Sequence, residues 1–201
     1  MDSCSKQFWE ERYQASQTPW DLKGPTPVFR KLLEEAVIPP GKLLVPGAGR
    51  GYDAIAFARA GFDVTSVDLA PSACEVLRQS VEASGVKVEV READFFELQE
   101  DSAYDAVLEY TFYCAIPIAS RTHYRDQMAR ILKPGGLLFG LFFPLEATDS
   151  EGPPFGVEVE SVKASFSEIF DLVHESFPPE SIKPRAGREI LMIWRKRRAS
   201  T

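Results

Sequence analysis

Three features along the chain have residue types and a spacing that suit a bound nucleoside. The first is Val45-Pro46-Gly47-Ala48-Gly49-Arg50-Gly51, which joins a short apolar run to a stretch with helical spacing. Glycines at such a junction let backbone approach a ligand closely, and the helix start beyond them offers free N–H groups to an anion. The second is Asp68, 21 residues after Gly47 at the end of the next β-rich run. A carboxylate there can accept hydrogen bonds from ribose hydroxyls. The third is Asp94 with Phe95, just past the third β-rich run. Asp94 can accept from an adenine amino group while the Phe95 ring packs on the base. Any one of these is also what an ordinary turn or strand end looks like. Their recurrence at three consecutive strand ends favours the nucleoside.

The spacing bears on which nucleoside it is. A dinucleotide fingerprint reads GxGxxG, but here the slot of its third glycine holds Tyr52 and the glycine falls one place early, at Gly51. A nicotinamide cofactor therefore fits less well. Other candidates for chemistry are sparse. His123 and His174 fall in no motif, and the three cysteines, Cys4, Cys74 and Cys114, are widely spaced with no CxxC. No metal site is expected from such a set. Cys114 has no base spaced to activate it and reads as a wall or core residue. Glu109, a carboxylate at the end of an apolar strand, is the best acid/base outsider.

The site residues need a frame, and the hydrophobic pattern supplies one. Lys42–Pro46, Phe62–Val67, Val86–Val90, Tyr104–Leu108 and Leu137–Phe143 read as strands. Tyr52–Ala60, Pro71–Ala83 and Arg121–Leu132 read as helices between them. Lys133-Pro134-Gly135-Gly136 reads as a sharp turn into the strand that follows it. Strand and helix in alternation predict an α/β fold, a mostly parallel sheet with helices on both faces. Ligands in such folds bind beyond the carboxyl ends of the strands, where the glycines, Asp68 and Asp94 stand. The tail differs. After the Gly/Pro-containing segment Asp149–Gly156 come a helical run, Ser161–Phe170, and two β-rich runs, Leu172–Phe177 and Arg188–Trp194, with only a Pro-rich loop between them. Two strands joined that way pair antiparallel, so one antiparallel strand is expected near the sheet's edge.

Composition sets the limits. The chain has 201 residues, 23 basic and 30 acidic side chains, and a formal net charge of −7. That length suits a single domain, read as an N-terminal helical lid region over 1–40 and a core over 41–201. The acidic balance disfavours nucleic acid, which wants a basic face. The run Arg195-Lys196-Arg197-Arg198 then reads as a solvated end. The longest apolar stretch, Leu137–Leu145, has nine residues against the roughly 20 a membrane span needs. The first residues lack the apolar region of a signal peptide. A soluble, cytoplasmic monomer with no membrane partner is expected.

In order along the chain, Gly47-Ala48-Gly49-Arg50-Gly51, Asp68, Asp94-Phe95, the strand Tyr104–Glu109 and Leu132-Lys133-Pro134-Gly135-Gly136-Leu137 resemble the class I S-adenosylmethionine-dependent methyltransferases. More narrowly, Trp9-Glu10-Glu11-Arg12-Tyr13, Thr18-Pro19-Trp20-Asp21, Leu44-Val45-Pro46-Gly47 and Glu109 to Ile116 resemble the thiopurine S-methyltransferase family on its plant halide/thiol side. The resemblance implies a single-domain Rossmann-like methyltransferase sheet, S-adenosyl-L-methionine as cofactor, no metal, and a small thiol or halide as acceptor. It also implies roles. Trp9, Tyr13 and Trp20 belong to a lid over the cofactor. Gly47, with Gly49 beside it, meets the methionine part, Asp68 the ribose, and Asp94 and Phe95 the adenine. Tyr110 lines the site near the transferred methyl. Two positions depart from the plant pattern: Tyr13 stands where those relatives carry Trp, and Phe143 where they carry Tyr.

Trp9 and Tyr13 are spaced i, i+4, so on a helix they share a face, and aromatic faces can hold a sulfonium and exclude water. A thiolate or halide is already a good nucleophile and needs no general base. Tyr110 and Phe143 are therefore read as pocket and positioning residues, with catalysis coming from proximity and alignment. The alternatives are a methyltransferase with an oxygen or nitrogen acceptor, a nicotinamide-dependent oxidoreductase, and a cofactor-binding protein without catalysis.

Overall fold

The computed structural model describes residues 4–146 and 152–198. The chain forms two compact units, Met1–Leu98 and Gln99–Thr201. In the first, helices α1 (Lys6–Gln14) and α2 (Pro27–Glu34) precede β1 (Lys42–Pro46), α3 (Tyr52–Arg59), β2 (Asp63–Asp68), α4 (Pro71–Ser84) and β3 (Val88–Glu92). The three strands are parallel in the order β3-β2-β1, with Leu44 opposite Thr65 and Thr65 opposite Glu89.

Local chemistry sets these boundaries. The Ser5 hydroxyl accepts from Phe8 N at 3.2 Å and caps α1. Pro27 and Pro71 open α2 and α4, where the missing N–H costs nothing. Gly85 ends α4 in the left-handed conformation. Leu43, Leu44 and Val45 of β1 are buried, as are Ala73, Cys74 and Leu77 on the inner face of α4. Full burial of a side chain such as Leu77 is worth about 1.5–3 kcal/mol. Gly51 answers to that packing. Its φ is +72°, and a Cβ there would lie 1.8 Å from Leu77 Cδ1. The glycine that falls one place early thus lets the start of α3 close against α4.

The second unit holds β4 (Tyr104–Tyr110), α5 (Arg121–Ile131), β5 (Leu132–Phe142), α6 (Val159–Phe166), β6 (Phe170–Ser176) and β7 (Ile190–Lys196). Within this unit the strand order is β4-β5-β7-β6. β4 and β5 are parallel, while β7 runs antiparallel to both β5 and β6. The expected antiparallel strand is β7. Phe166 packs among Tyr113, Tyr124, Phe142, Phe170 and Trp194, with ring centroids 5.5–6.3 Å away. Much of the aromatic content is core of this kind.

The sharp turn expected at Lys133–Gly136 is corrected. Those residues belong to β5, and the ladder with β4 jumps from Tyr104 opposite Leu132 to Ala106 opposite Leu137. The extra residues form a bulge, with Gly135 at φ 84°. Residues 149–151 of the Gly/Pro-containing segment lie outside the described residues.

Candidate active site

In the first unit, the strand ends bring the predicted cofactor residues together. The turn after β1 places Gly47 at φ 59° with its backbone exposed, and Gly49 at φ 54° and buried. Ala48 N donates to Val67 O at 3.2 Å, and Ala93 N to Asp68 O at 3.1 Å. The glycine turn, the end of β2 and the approach to Asp94 are thereby laced edge to edge. Asp68 is buried, and its carboxylate accepts from Gly49 N at 2.8 Å and Ala70 N at 2.9 Å. Burial raises its pKa, and the backbone donors at Ala70 and Gly49 oppose the rise. A carboxylate offers about four lone-pair sites, and the backbone N–H groups of Ala70, Gly49 and Leu69 take up part of that capacity. Asp94 accepts from Phe96 N at 2.8 Å, which fixes the short turn that buries Phe95.

The N-terminal aromatics form a single cluster. Trp9 and Tyr13, one turn apart on α1, both meet Trp20 edge-on, with ring centroids 5.5 and 5.8 Å away. The Trp20 side chain hydrogen-bonds to the Tyr13 hydroxyl. That hydroxyl lies against Gly49, so close that a Cβ on residue 49 would sit 2.9 Å from it. Burial and the nearby Asp68 charge push the Tyr13 pKa up, so the phenol stays protonated.

Sequence reasoning missed what fastens this segment. Asp21 pairs with Arg50 of the glycine turn at 2.8 Å. Thr26 donates through N and Oγ1 to Asp53 in the first turn of α3, at 2.7 and 2.8 Å. Glu10 accepts from Ser72 N and Oγ at the start of α4, at 2.9 and 2.5 Å. A carboxylate at a helix N-terminus is favoured by the macrodipole.

In the second unit, Tyr110 and Phe143 come together around a residue the sequence reading did not single out. Arg185 is buried at 5% exposure. Its guanidinium donates to the Tyr110 hydroxyl and lies 4.9 Å from both the Tyr110 and Phe143 ring centroids. The loop that carries it is clamped. Arg188 forms a two-pronged ion pair with Glu146 at 2.6 and 2.7 Å, Leu145 N donates to Arg188 O at 3.0 Å, and Arg188 also faces the Phe143 ring at 5.5 Å. Arg185 is 75 positions from Tyr110, so no local spacing announces it. Two arginines flanking a glycine in a Pro-rich connection were the available signal.

The remaining candidates fall away. Burial raises the Cys114 thiol to about 12, far from a reactive thiolate. His123 and His174 are exposed. Among the described residues no group of three or more His, Cys, Asp or Glu stands together to hold a metal. The Glu109 carboxylate is committed to the protein's own backbone and to Tyr124.

Residues 4–188 match the family model of thiopurine S-methyltransferase. The chain belongs to the thiopurine S-methyltransferase family. It is accordingly an S-adenosylmethionine-dependent methyltransferase. Among its relatives, a probable thiol methyltransferase 2 of Arabidopsis thaliana is 34% identical, over 98% of this chain and 88% of that protein. A thiocyanate methyltransferase 1 of Brassica oleracea is 31% identical, over 94% and 84%. The fold is shared with the N-methyltransferase NodS from Bradyrhizobium japonicum, solved with S-adenosyl-L-homocysteine. That match has a TM-score of 0.75 at 18% identity and covers 96% of this chain and 98% of that one. The family's cofactor fits the first unit on its own geometry. An exposed glycine turn and two strand-end carboxylates, Asp68 and Asp94, stand together there, while the Phe95 ring is packed inside.

Proposed function

We propose that the protein transfers a methyl group from S-adenosyl-L-methionine to a small thiol or another soft anion such as a halide. The observation that carries this reading is Arg185. It is a buried guanidinium bonded to the Tyr110 hydroxyl and walled by two aromatic rings. Such a group offers a fixed positive charge in surroundings with little water, which attracts an anion and suits a polarizable one. The names of the relatives, thiol and thiocyanate methyltransferase, point the same way.

When bound, the cofactor supplies an electrophilic methyl on a sulfonium. Gly47 and Gly49 bring backbone close to its methionine part, Asp68 accepts from the ribose, and Asp94 and Phe95 hold the adenine. Trp9, Tyr13 and Trp20 form the covering aromatic surface of a lid region over residues 1–40. Tyr110 and Phe143 shape the acceptor's seat, and Arg185 holds the acceptor as an anion. No side chain is asked to remove a proton, because the charge of Arg185 favours a thiol's ionised form and a halide has no proton to lose. The rate then comes from alignment, worth roughly 7–11 kcal/mol in well-oriented reactions.

The protein would act as a cytoplasmic monomer. Three widely spaced cysteines with no CxxC and no disulfide framework are in keeping with a reducing compartment. Methylation assays with iodide, bisulfide and an aryl thiol test the acceptor class. Turnover on at least one is expected. Turnover only on oxygen or nitrogen nucleophiles would overturn it.

A further inference from the structure

Glu109 lies next to Tyr110 and is 1% exposed, yet nothing in the transfer chemistry uses it. Its Oε1 accepts from Phe112 N at 2.9 Å and Tyr113 N at 2.8 Å, and its Oε2 accepts from the Tyr124 hydroxyl at 2.5 Å. These bonds staple the end of β4 to the turn that follows and to α5. Inside the staple is Thr111 at φ 58°. A β-branched residue in the left-handed region is strained, and such strain persists only where surrounding contacts fix it. The Cys114 thiol donates to Thr111 O at 3.5 Å, Ala115 N to Phe112 O at 2.9 Å, and Phe155 N to Cys114 O at 2.7 Å. The turn is therefore tied at both ends, with the Glu109 carboxylate as the acceptor its first two free N–H groups share.

We propose that Glu109 is the positioning residue of the acceptor seat: its carboxylate holds Thr111 in the left-handed conformation and so sets Tyr110 beneath Arg185. This rests on the reading of Tyr110, Phe143 and Arg185 as the acceptor's seat. The titratable and charged groups facing Glu109 are Tyr113 and Cys114 of the turn and Tyr124 and Arg121 of α5. Burial raises its pKa to about 7, against the donors on Tyr113 N, Tyr124 and Phe112 N and the Arg121 charge. Protonation removes the charge that strengthens the two backbone bonds and reverses the bond to Tyr124, because two O–H donors cannot face each other. Gln at 109 reproduces that neutral state at every pH.

Iodide is the informative acceptor because it does not titrate. The KM for iodide should rise severalfold as pH falls from 8 to 5.5 in the wild type. In Glu109→Gln it should stay flat and high, and in Glu109→Ala it should rise by about tenfold. S-adenosylhomocysteine affinity should change less than twofold throughout. A pH-dependent KM in Glu109→Gln matching the wild type's would overturn the proposal. A crystal structure of Glu109→Gln or Glu109→Ala reads the staple without turnover. Thr111 leaving positive φ and Tyr110 leaving Arg185 in the alanine variant support it, and an unchanged turn sinks it. Should iodide and bisulfide both fail as acceptors, the structural readout still decides the role of Glu109, while the acceptor reading alone falls.

Discussion

The Tyr13 hydroxyl occupies the space a side chain would need at Gly49: a Cβ there would stand 2.9 Å from the phenol oxygen. Gly49 N also donates to Asp68, and its φ is +54°. One glycine therefore serves the turn, the Asp68 carboxylate and the N-terminal aromatic cluster. Gly49→Ala should displace α1 as well as strain the turn, at a backbone cost of roughly 1–2 kcal/mol. The expected result is at least tenfold weaker S-adenosylhomocysteine binding by calorimetry, with a shifted tryptophan emission from Trp9 and Trp20. Unchanged affinity and emission would show that the phenol does not depend on that space.

Asp53 fastens the segment before α2 to the start of α3 through both donors of Thr26. Burial raises its pKa from 3.8 to about 6, with the Thr26 donors pulling the other way. A carboxylic acid whose folded pKa is raised contributes stability that is full below its unfolded pKa and is lost as pH rises through the folded one. The window runs from about pH 4 to pH 6, and the rise corresponds to on the order of 3 kcal/mol. Asn at 53 can keep both contacts, its oxygen accepting from Thr26 N and its amide donating to the hydroxyl, without titrating. Thermal midpoints of the wild type and Asp53→Asn should therefore diverge in the wild type's favour on acidification from pH 7 to 4. A difference that stays constant across that range refutes the titration of Asp53.

What could be read from the sequence was whatever the chain encodes locally. Gly47, Gly49, Asp68 and Asp94 announce themselves because each sits at a fixed offset from a strand whose hydrophobic run is visible. Trp9 and Tyr13 do so because one helical turn puts them on one face. Arg185 was not legible: its partners Tyr110 and Phe143 are brought to it by strand pairing across long sequence separations. The same holds for Glu10 with Ser72, 62 positions apart. The bulge at Lys133–Gly136 was misread as a turn because Pro and Gly punctuate both, and only the strand partner decides which forms.

Arg185 should be the most sensitive residue of the proposed acceptor seat. Its planar fork bonds the Tyr110 hydroxyl while its face meets two rings, and a lysine ammonium cannot do both. A hydrogen bond to a charged group is worth about 1.5–3 kcal/mol. Arg185→Gln should therefore raise KM for iodide or bisulfide by roughly 10- to 150-fold, with Arg185→Lys between it and the wild type. S-adenosylhomocysteine affinity should be preserved in both. A KM for Arg185→Gln within twofold of the wild type would remove the anion-holding role and reopen the oxygen and nitrogen acceptors.

The proposed function gives Asp68 two duties that a pair of substitutions separates. Its carboxylate accepts from Gly49 N and Ala70 N, with Leu69 as a further backbone donor, and the proposed ribose contact comes on top of these. Asp68→Asn keeps the shape but sets an amide N–H against one of those backbone donors. Leaving a buried donor unpaired costs about 1–3 kcal/mol, so the melting midpoint should fall along with cofactor affinity. Asp68→Glu keeps the charge but moves it outward by one methylene, so binding should drop while an acidic acceptor for the backbone remains. A carboxylate that only built the turn would lower the midpoint in both variants and leave S-adenosylhomocysteine binding intact. One that also meets the ribose should cost Asp68→Asn at least tenfold in that affinity, measured by calorimetry well below its melting temperature.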